Sequence, residues 1–340
     1  MIYERVRHAR LYHGWSQTKL AEMVGVTQPA ISQMEKTGQV SNETLEAIAE
    51  VTGFSPWWFQ QGPLPDMPMG SLRFRKRAGT PARDDERVRA SIRQALEVVD
   101  RFSATVELPP VRVRAIPAGE EIDGDAIELK ALEVREWLGV GPLDPIPSVV
   151  RAVERAGVVV IGSALEIERH DAVSFWSPDS LRPVICFSRG FSGDHNRLSV
   201  SHEIGHLVLH QLRSVTAVQA ESEAFRFAGA LLLPSTVAHE ELEQPITLRS
   251  LAYVKARWGI SIAALIRRCW DLGLISDVKR TSLEKQLSAR GWRKAEPVHV
   301  PEESPMLITK MLEVSMGKPS PQRLHSALGL PPLACRDLMS

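Results

Sequence analysis

The sequence predicts an α+β protein that is mostly helical, and three observations carry that reading. Short apolar-periodic segments separated by glycines fill the first sixty residues. Three brief runs, 157–162, 172–176 and 183–187, have strand character. Helical spacing of apolar residues then dominates from Leu198 to Leu272. A chain of 340 residues exceeds the usual single core, so at least two domains are expected. The expected division is 1–68, an all-α bundle; 69–108, a basic linker and amphipathic helix; 109–295, a unit with a small sheet; and 296–340, a helical, proline-rich tail.

Taken in order, Val6, Ala9 and Leu11 start a short amphipathic helix that ends near Gly14. Ser16 is placed to cap the next helix, with Lys19 at the third position, where a capping box would have glutamate. Gly25 supplies the turn, and Thr27 caps a further helix that begins Gln28-Pro29. Proline costs little there, because an N–H in the first turn has no partner within the helix. Two short helices joined by a glycine turn form a helix-turn-helix unit. Leu45, Ile48, Ala49 and Val51 add a helix to close the bundle, with Trp57, Trp58 and Phe59 at its end. Residues 63–70 read as a proline-rich hinge, and 72–77 (LRFRKR) as a basic cluster suited to phosphates or to a solvated linker. Val88, Ile92, Leu96 and Val99 mark one face of a helix over 84–102, and two more helices are expected at 127–138 and 148–156.

The run Ser16-Gln17-x-x-Leu20-Ala21-x-x-x-Gly25-Val26-x-Gln28-x-x-Ile31-Ser32-x-x-Glu35 resembles the Cro-type, xenobiotic-response-element family of DNA-binding domains over about residues 3–62. The resemblance implies that the helix starting at Gln28 enters the major groove of a double-stranded operator. Gln28, Pro29, Ser32 and Gln33 would then face base edges, and Gln17 a phosphate or flanking base. The residue types suit this, since Gln can pair with adenine and an apolar group can meet the thymine methyl. Lys36 and Lys19 are candidate phosphate neutralisers. Domains of this type generally read two half-sites, so a homodimer is expected.

The second informative stretch is His202-Glu203-Ile204-Gly205-His206. Positions i and i+4 share a helix face, so both imidazoles can reach one ion, with Glu203 placed to take a proton from water. His210 is a poor third ligand, because eight residues of straight helix rise about 12 Å. A carboxylate on the following helix is better placed, and Glu221 and Glu223 both open the apolar run that ends at Pro234. Glu223 is favoured and Glu221 held in reserve. The small residues Ala224, Ala228 and Gly229 would let that helix come close.

The stretch from Asn196 through HEIGHLVLH, followed by Glu223-Ala224, Phe227-Ala228 and a Leu-Leu-Pro stop, resembles the ImmA/IrrE metallo-endopeptidase family. That resemblance implies a zincin-like domain with Zn2+ held by His202, His206 and Glu223, with Glu203 as general base and a C-terminal helical extension. An extended peptide substrate would lie along a sheet edge beside Phe187. The chain departs from the family pattern at Phe225, where Asn is common, and at Ser188, where Asn often ends the preceding strand. No oxyanion stabiliser is legible, and His170, His195 and Tyr253 are weak candidates. Residues 248–258 and 262–272 also have a helix-turn-helix order, so a second DNA-binding unit is conceivable, although the resemblance favours the extension.

Two functions follow. One is a DNA-bound regulator that is also a zinc endopeptidase, cutting a repressor or itself. The other is a non-proteolytic regulator, or antitoxin-like protein, whose metallopeptidase-like domain senses a ligand or mediates dimerisation. Forty-one basic against 41 acidic residues leave no net charge, so DNA affinity must come from local placement. Cys186, Cys269 and Cys335 are widely spaced and form no Cys-x-x-Cys pair, which points to a reducing compartment and against a cysteine metal site. With no apolar stretch near 18 residues and no signal-peptide pattern, a cytoplasmic, nucleoid-associated protein without membrane contact is expected.

Overall fold

The computed structural model describes residues 2–67, 82–163, 172–242 and 244–339. The basic cluster at 72–77 and His170 lie outside the described residues. At the N-terminus, caps and glycines stop each helix at a fixed point: α1 (Ile2–Tyr12), α2 (Gln17–Val24), α3 (Gln28–Thr37) and α4 (Asn42–Thr52), then a 3-10 turn at Pro56–Gln60. Ser16, Thr27 and Ser41 accept hydrogen bonds from the backbone N–H of Lys19, Ala30 and Thr44. Gly25 has φ 78°, in the left-handed region that ends α2 and turns the chain into α3. Val6, Leu20, Ile31 and Ile48 are fully buried where the helices meet.

α5 (Ala82–Ser103) buries Val88, Ile92, Leu96 and Val99 and packs along α1. The seam between them is also polar. Arg5 donates to Glu97 at 2.5 Å and lies 4.4 Å over the Trp58 ring, whose Nε1 donates to the same carboxylate at 3.3 Å. His8 Nε2 lies 3.1 Å from Gln94 Oε1, and Arg93 pairs with Glu4. α5, expected as an amphipathic helix, is therefore a docking surface for the bundle.

α6 (Gly124–Trp137) and α7 (Val149–Arg155) lead into a sheet of β1 (Val159–Ser163), β2 (Ala172–Trp176) and β3 (Pro183–Ser188), in the order β1-β3-β2. β3 runs parallel to β1 and antiparallel to β2. The two-residue period of the strands divides their side chains between two cores. Val160, Ile185 and Phe187 join the core that holds the histidine-bearing helix, while Val159, Val173, Phe175, Val184 and Cys186 join the core containing α5 and the N-terminal bundle. Because β3 is central and buried along its whole length, Phe187 does not lie at a sheet edge. The expected substrate edge must be corrected: the strand packed against the histidine-bearing helix at an edge is β2.

That helix, α8 (Gly193–Leu209), is followed by α9 (Ala217–Leu232), α10 (Ser235–Glu241), α11 (Leu248–Trp258), α12 (Ile262–Asp271) and α13 (Asp277–Ala289). α11 and α12 belong to the same packed unit as α8. Their apolar faces, including Leu251, Val254, Trp258, Leu265 and Ile266, are built into the core around α8. Buried ion pairs hold them there. Arg268 grips Glu128 with two bonds of 2.5 and 2.6 Å, and Lys255 meets Asp194 and Glu296 at 2.6 Å each.

The tail crosses the molecule. Arg197 holds Glu303 at 2.5 Å, and Gly193 N donates to the Val300 carbonyl at 3.2 Å. α14 (Leu307–Met316), α15 (Pro321–Leu328) and α16 (Pro332–Asp337) then pack Leu312, Leu324, Leu328 and Cys335 into the core shared with the N-terminal bundle. Ser55 N donates to the Gly329 carbonyl at 2.8 Å. The segment 1–68 thus has no separate apolar core. Among the described residues, no helix is long and apolar enough to cross a membrane.

Burial, assisted by Arg93, lowers the pKa of His8 from 6.5 to about 3. The folded state keeps this imidazole neutral, whereas the unfolded chain takes up a proton below about pH 6.5. Stability is therefore complete above that pH and is lost as pH falls towards 3. At pH 5 the loss is about 2 kcal/mol, read as a lower urea midpoint than at pH 7. His8→Gln flattens this slope; an unchanged slope in the variant assigns the titration to another group.

Candidate metal centre

α8 begins at the Ser192 cap and buries Val200, Ile204, Leu207 and Val208. Its face towards α9 needs a residue without a side chain. A Cβ at Gly205 would stand 3.1 Å from the Phe227 ring and 3.2 Å from Ala224 Cα, too tight without one helix giving way. Glycine and alanine at this crossing bring the two helices close enough to share a site. Gly229, expected to serve the same approach, instead leaves room for Arg268, whose Cδ would lie 3.1 Å from an added Cβ.

His202 Nε2 and His206 Nε2 lie 3.0 Å apart at the rim of this contact. The carboxylate that faces them belongs to Glu221, with one oxygen 3.4 Å from His202 Nε2 and the other 3.7 Å from His206 Nε2. Donors about 2.0–2.1 Å from a tetrahedral zinc stand roughly 3.3 Å from one another. Two imidazoles and one carboxylate at these separations fit such an ion in both spacing and donor type, and all three side chains keep some exposure for a fourth ligand.

Glu223, the ligand expected from the sequence, is placed differently from Glu221. Its carboxylate turns away from the imidazole pair and is spoken for: Oε2 accepts from Arg213 at 2.8 Å and lies 3.0 Å from His210 Nε2, and Oε1 accepts from Gln219 at 2.8 Å. Burial alone would raise its pKa, but the bonds from Arg213, Gln219 and His210 outweigh that and hold the carboxyl below its ordinary range. His210, too far along the helix to be a ligand, instead sets Nδ1 2.9 Å from His206 Nδ1.

Glu203 is buried beside the pair and accepts from the Ser174 hydroxyl of β2 at 2.5 Å. Ser174 also approaches the Glu203 carbonyl at 3.2 Å, which locks strand and helix in register. Burial raises the Glu203 pKa, opposed by His202 and by the Ser174 hydrogen bond. Ser174 was not singled out from the sequence. Its signal was there: a lone polar residue between Val173 and Phe175 must face the opposite side of the sheet from them.

Phe225, one of the two departures from the family pattern, packs its ring 4.4 Å from that of His202 and carries Arg267 at 4.8 Å on the cavity side. It walls off a cavity of about 280 Å³ between α8, α9 and α12, lined also by His195 and Asp271. Tyr253 is exposed on α11.

On the bundle, Gln28, Pro29, Gln33 and Lys36 are exposed along α3, and Ser32 is half-buried. Gln17 is held from both sides, donating to Glu35 at 2.8 Å and accepting from Gln28 at 2.7 Å. Glu35 is fixed in turn by Arg10 at 2.5 Å. The amides that open α2 and α3 are thus held against each other.

Fold and site together define a helix-turn-helix bundle packed on an α+β domain that carries a His-Glu-x-x-His helix. Residues 6–59 match the family model described as Helix-turn-helix, and residues 153–269 match that of the IrrE N-terminal-like domain. The chain is a fusion of a Cro/C1-type helix-turn-helix domain with a peptidase-like domain of the IrrE/ImmA type. The second match spans the sheet, α8, α9 and most of α12, and so contains the whole histidine site. No curated protein matches the chain significantly.

The geometry ranks the two carboxylates. Glu221→Gln is expected to weaken zinc binding, measured by chelator competition, by more than the roughly 10–100-fold typical of losing an outer hydrogen-bond partner. Glu223→Gln stays within that range. The opposite ranking would restore Glu223 as the ligand.

Proposed function

We propose that this chain is a DNA-binding transcriptional regulator whose second domain is a zinc-dependent endopeptidase, cleaving a repressor or the chain itself to relieve regulation. The observation that carries the reading is the near-tetrahedral spacing of His202, His206 and Glu221 beside a buried Glu203 held by Ser174. Zinc at those three ligands would polarise the scissile carbonyl and make a nearby water more acidic. Glu203 takes the proton of the attacking water on its carboxylate and returns it to the leaving amine. Ser174 steadies the carboxylate through this exchange. It also ties the base to β2, the strand along which an extended peptide would lie.

In the DNA-binding half, Gln28, Pro29, Ser32 and Gln33 read base edges in the major groove. Lys36 neutralises a phosphate, and Gln17, braced by Glu35, lies against the backbone or a flanking base. Two copies on two half-sites are the natural arrangement for such a unit. The second reading is a regulator whose peptidase-like domain senses a ligand without proteolysis, and the 280 Å³ cavity behind Phe225 favours it.

Incubation with repressors encoded nearby separates the two. Glu203→Gln should keep zinc and lose cleavage by at least about 100-fold, the lower range of a general acid–base contribution. If neither wild type nor variant cleaves while both bind DNA equally, the sensor reading replaces the protease. For the other half, Gln33→Ala should cost about 1–3 kcal/mol of discrimination between operator and unrelated DNA. Lys36→Ala should weaken binding to both alike and reduce the salt slope by about 1. Equal loss on operator and unrelated DNA for Gln33→Ala would remove it from the base-reading set.

A further inference from the structure

We propose that the cavity between α8, α9 and α12 is a binding site for a free α-amino acid with a large apolar side chain. Its purpose rests on the ligand-sensing reading above, whereas the site itself follows from the residues that line it. The cavity measures about 280 Å³. An apolar cavity of about 150 Å³ accommodates benzene, so this one has room for a ring or branched alkyl group together with a polar head. Leu198, Phe225, Ile260 and Ala264 give it apolar walls.

Two charges of opposite sign face that apolar space from one side. Arg267 and Asp271 stand at i and i+4 on α12 and are neighbours on one helix face. They do not satisfy each other. Arg267 Nε lies 3.6 Å from Asp271 Oδ2, beyond hydrogen-bond reach, and this buried nitrogen has no hydrogen-bond partner among the described residues. The guanidinium is held 4.8 Å over the Phe225 ring, which fixes its position without supplying an acceptor oxygen. The Asp271 side chain is almost enclosed, and burial raises its carboxyl pKa against the pull of Arg267, Arg226, Arg268 and Arg280. Arg268, on the same lining, is already spent on Glu128 and the Leu233 carbonyl.

A cation and an anion left apart beside apolar walls match a zwitterion whose carboxylate and ammonium flank a single carbon. The carboxylate meets Arg267 and the ammonium meets Asp271, so that a loose pair is replaced by two charge-assisted hydrogen bonds. The side chain fills the apolar remainder of the cavity. A residue within a peptide carries neither backbone charge, and a terminal residue carries only one, so this pairing selects the free amino acid. The occupant lies one ring from the candidate metal site, because Phe225 packs 4.4 Å from the His202 ring.

The test is calorimetric titration of the full-length protein with L-phenylalanine, L-leucine and L-tryptophan, with glycine as the control that has no apolar side chain. At least one of the three should bind, and glycine should not. The N-acetyl and C-amide derivatives of the tightest binder lack the ammonium and the carboxylate respectively. Each should bind about 10–100-fold more weakly, as loss of a hydrogen bond to a charged group implies. Arg267→Met keeps an apolar stem against Phe225 and should weaken the parent amino acid by a similar factor while leaving the C-amide unaffected. Failure of all three amino acids to bind overturns the proposal, and so does an N-acetyl derivative that binds as tightly as its parent. Both results come from the wild-type protein and need no variant to fold. Affinity unchanged in Arg267→Met also overturns it. Binding as expected, with DNA affinity and peptide cleavage unmoved by the amino acid, supports the site and removes the sensing reading instead.

Discussion

Everything at the candidate metal site depends on how closely α8 and α9 approach at Gly205 and Ala224. Gly205 brings no side chain to this crossing, and α9 meets it with the Ala224 backbone and the edge of the Phe227 ring, so the helices lie close. Once that distance is set, the carboxylates of α9 can reach the imidazoles of α8 without stretching. Glu221 arrives on one flank of the contact and Glu223 on the other, and each finds a different set of partners. A larger residue at position 205 would separate the flanks and spoil both sets together, although it would touch no polar atom of either.

That geometry also explains which parts of the site were legible in the sequence. The pair His202 and His206 with Glu203 follows from helical periodicity alone, because four residues of helix determine which side chains share a face. The choice of carboxylate does not. Glu221 and Glu223 are two residues apart, so they project about 200° from each other and straddle the Ala224–Phe227 face that meets α8. Periodicity says that only one can reach the imidazole pair. Which one depends on the angle and offset between two helices, and that is set by packing between distant segments. The helix-turn-helix unit was easier for the same reason: Ser16, Gly25 and Thr27 act within a few residues of themselves, so caps and turn needed no tertiary knowledge.

Element order along the chain was legible, but the neighbours of each element were not. The strand runs gave no sign that β3 would be central and β2 an edge, because pairing order is a property of the whole sheet. Likewise 84–102 was readable as an amphipathic helix by its apolar stripe. What the stripe would cover was not, and it proved to be α1 together with one face of the sheet. The tail gave even less, since seven prolines in short helical pieces fit many surfaces. Its actual seat is fixed in part by Arg197 and Lys255, basic residues whose partners Glu303 and Glu296 lie 106 and 41 positions away.

The sheet is the wall between the two functions, and its pleat decides what each side receives. Val173 and Phe175 of β2 point into the core that holds α5, the bundle and the tail, while Ser174 between them reaches Glu203 on α8. Because adjacent residues of one short strand serve both sides, a shift of β2 by one position would bury Ser174 among apolar residues and face Val173 or Phe175 towards Glu203. The strand cannot adjust to one neighbour without the other. The helix-turn-helix bundle is therefore packed on the reverse of the surface that positions Glu203, and its placement belongs to the same packing problem as the candidate metal site.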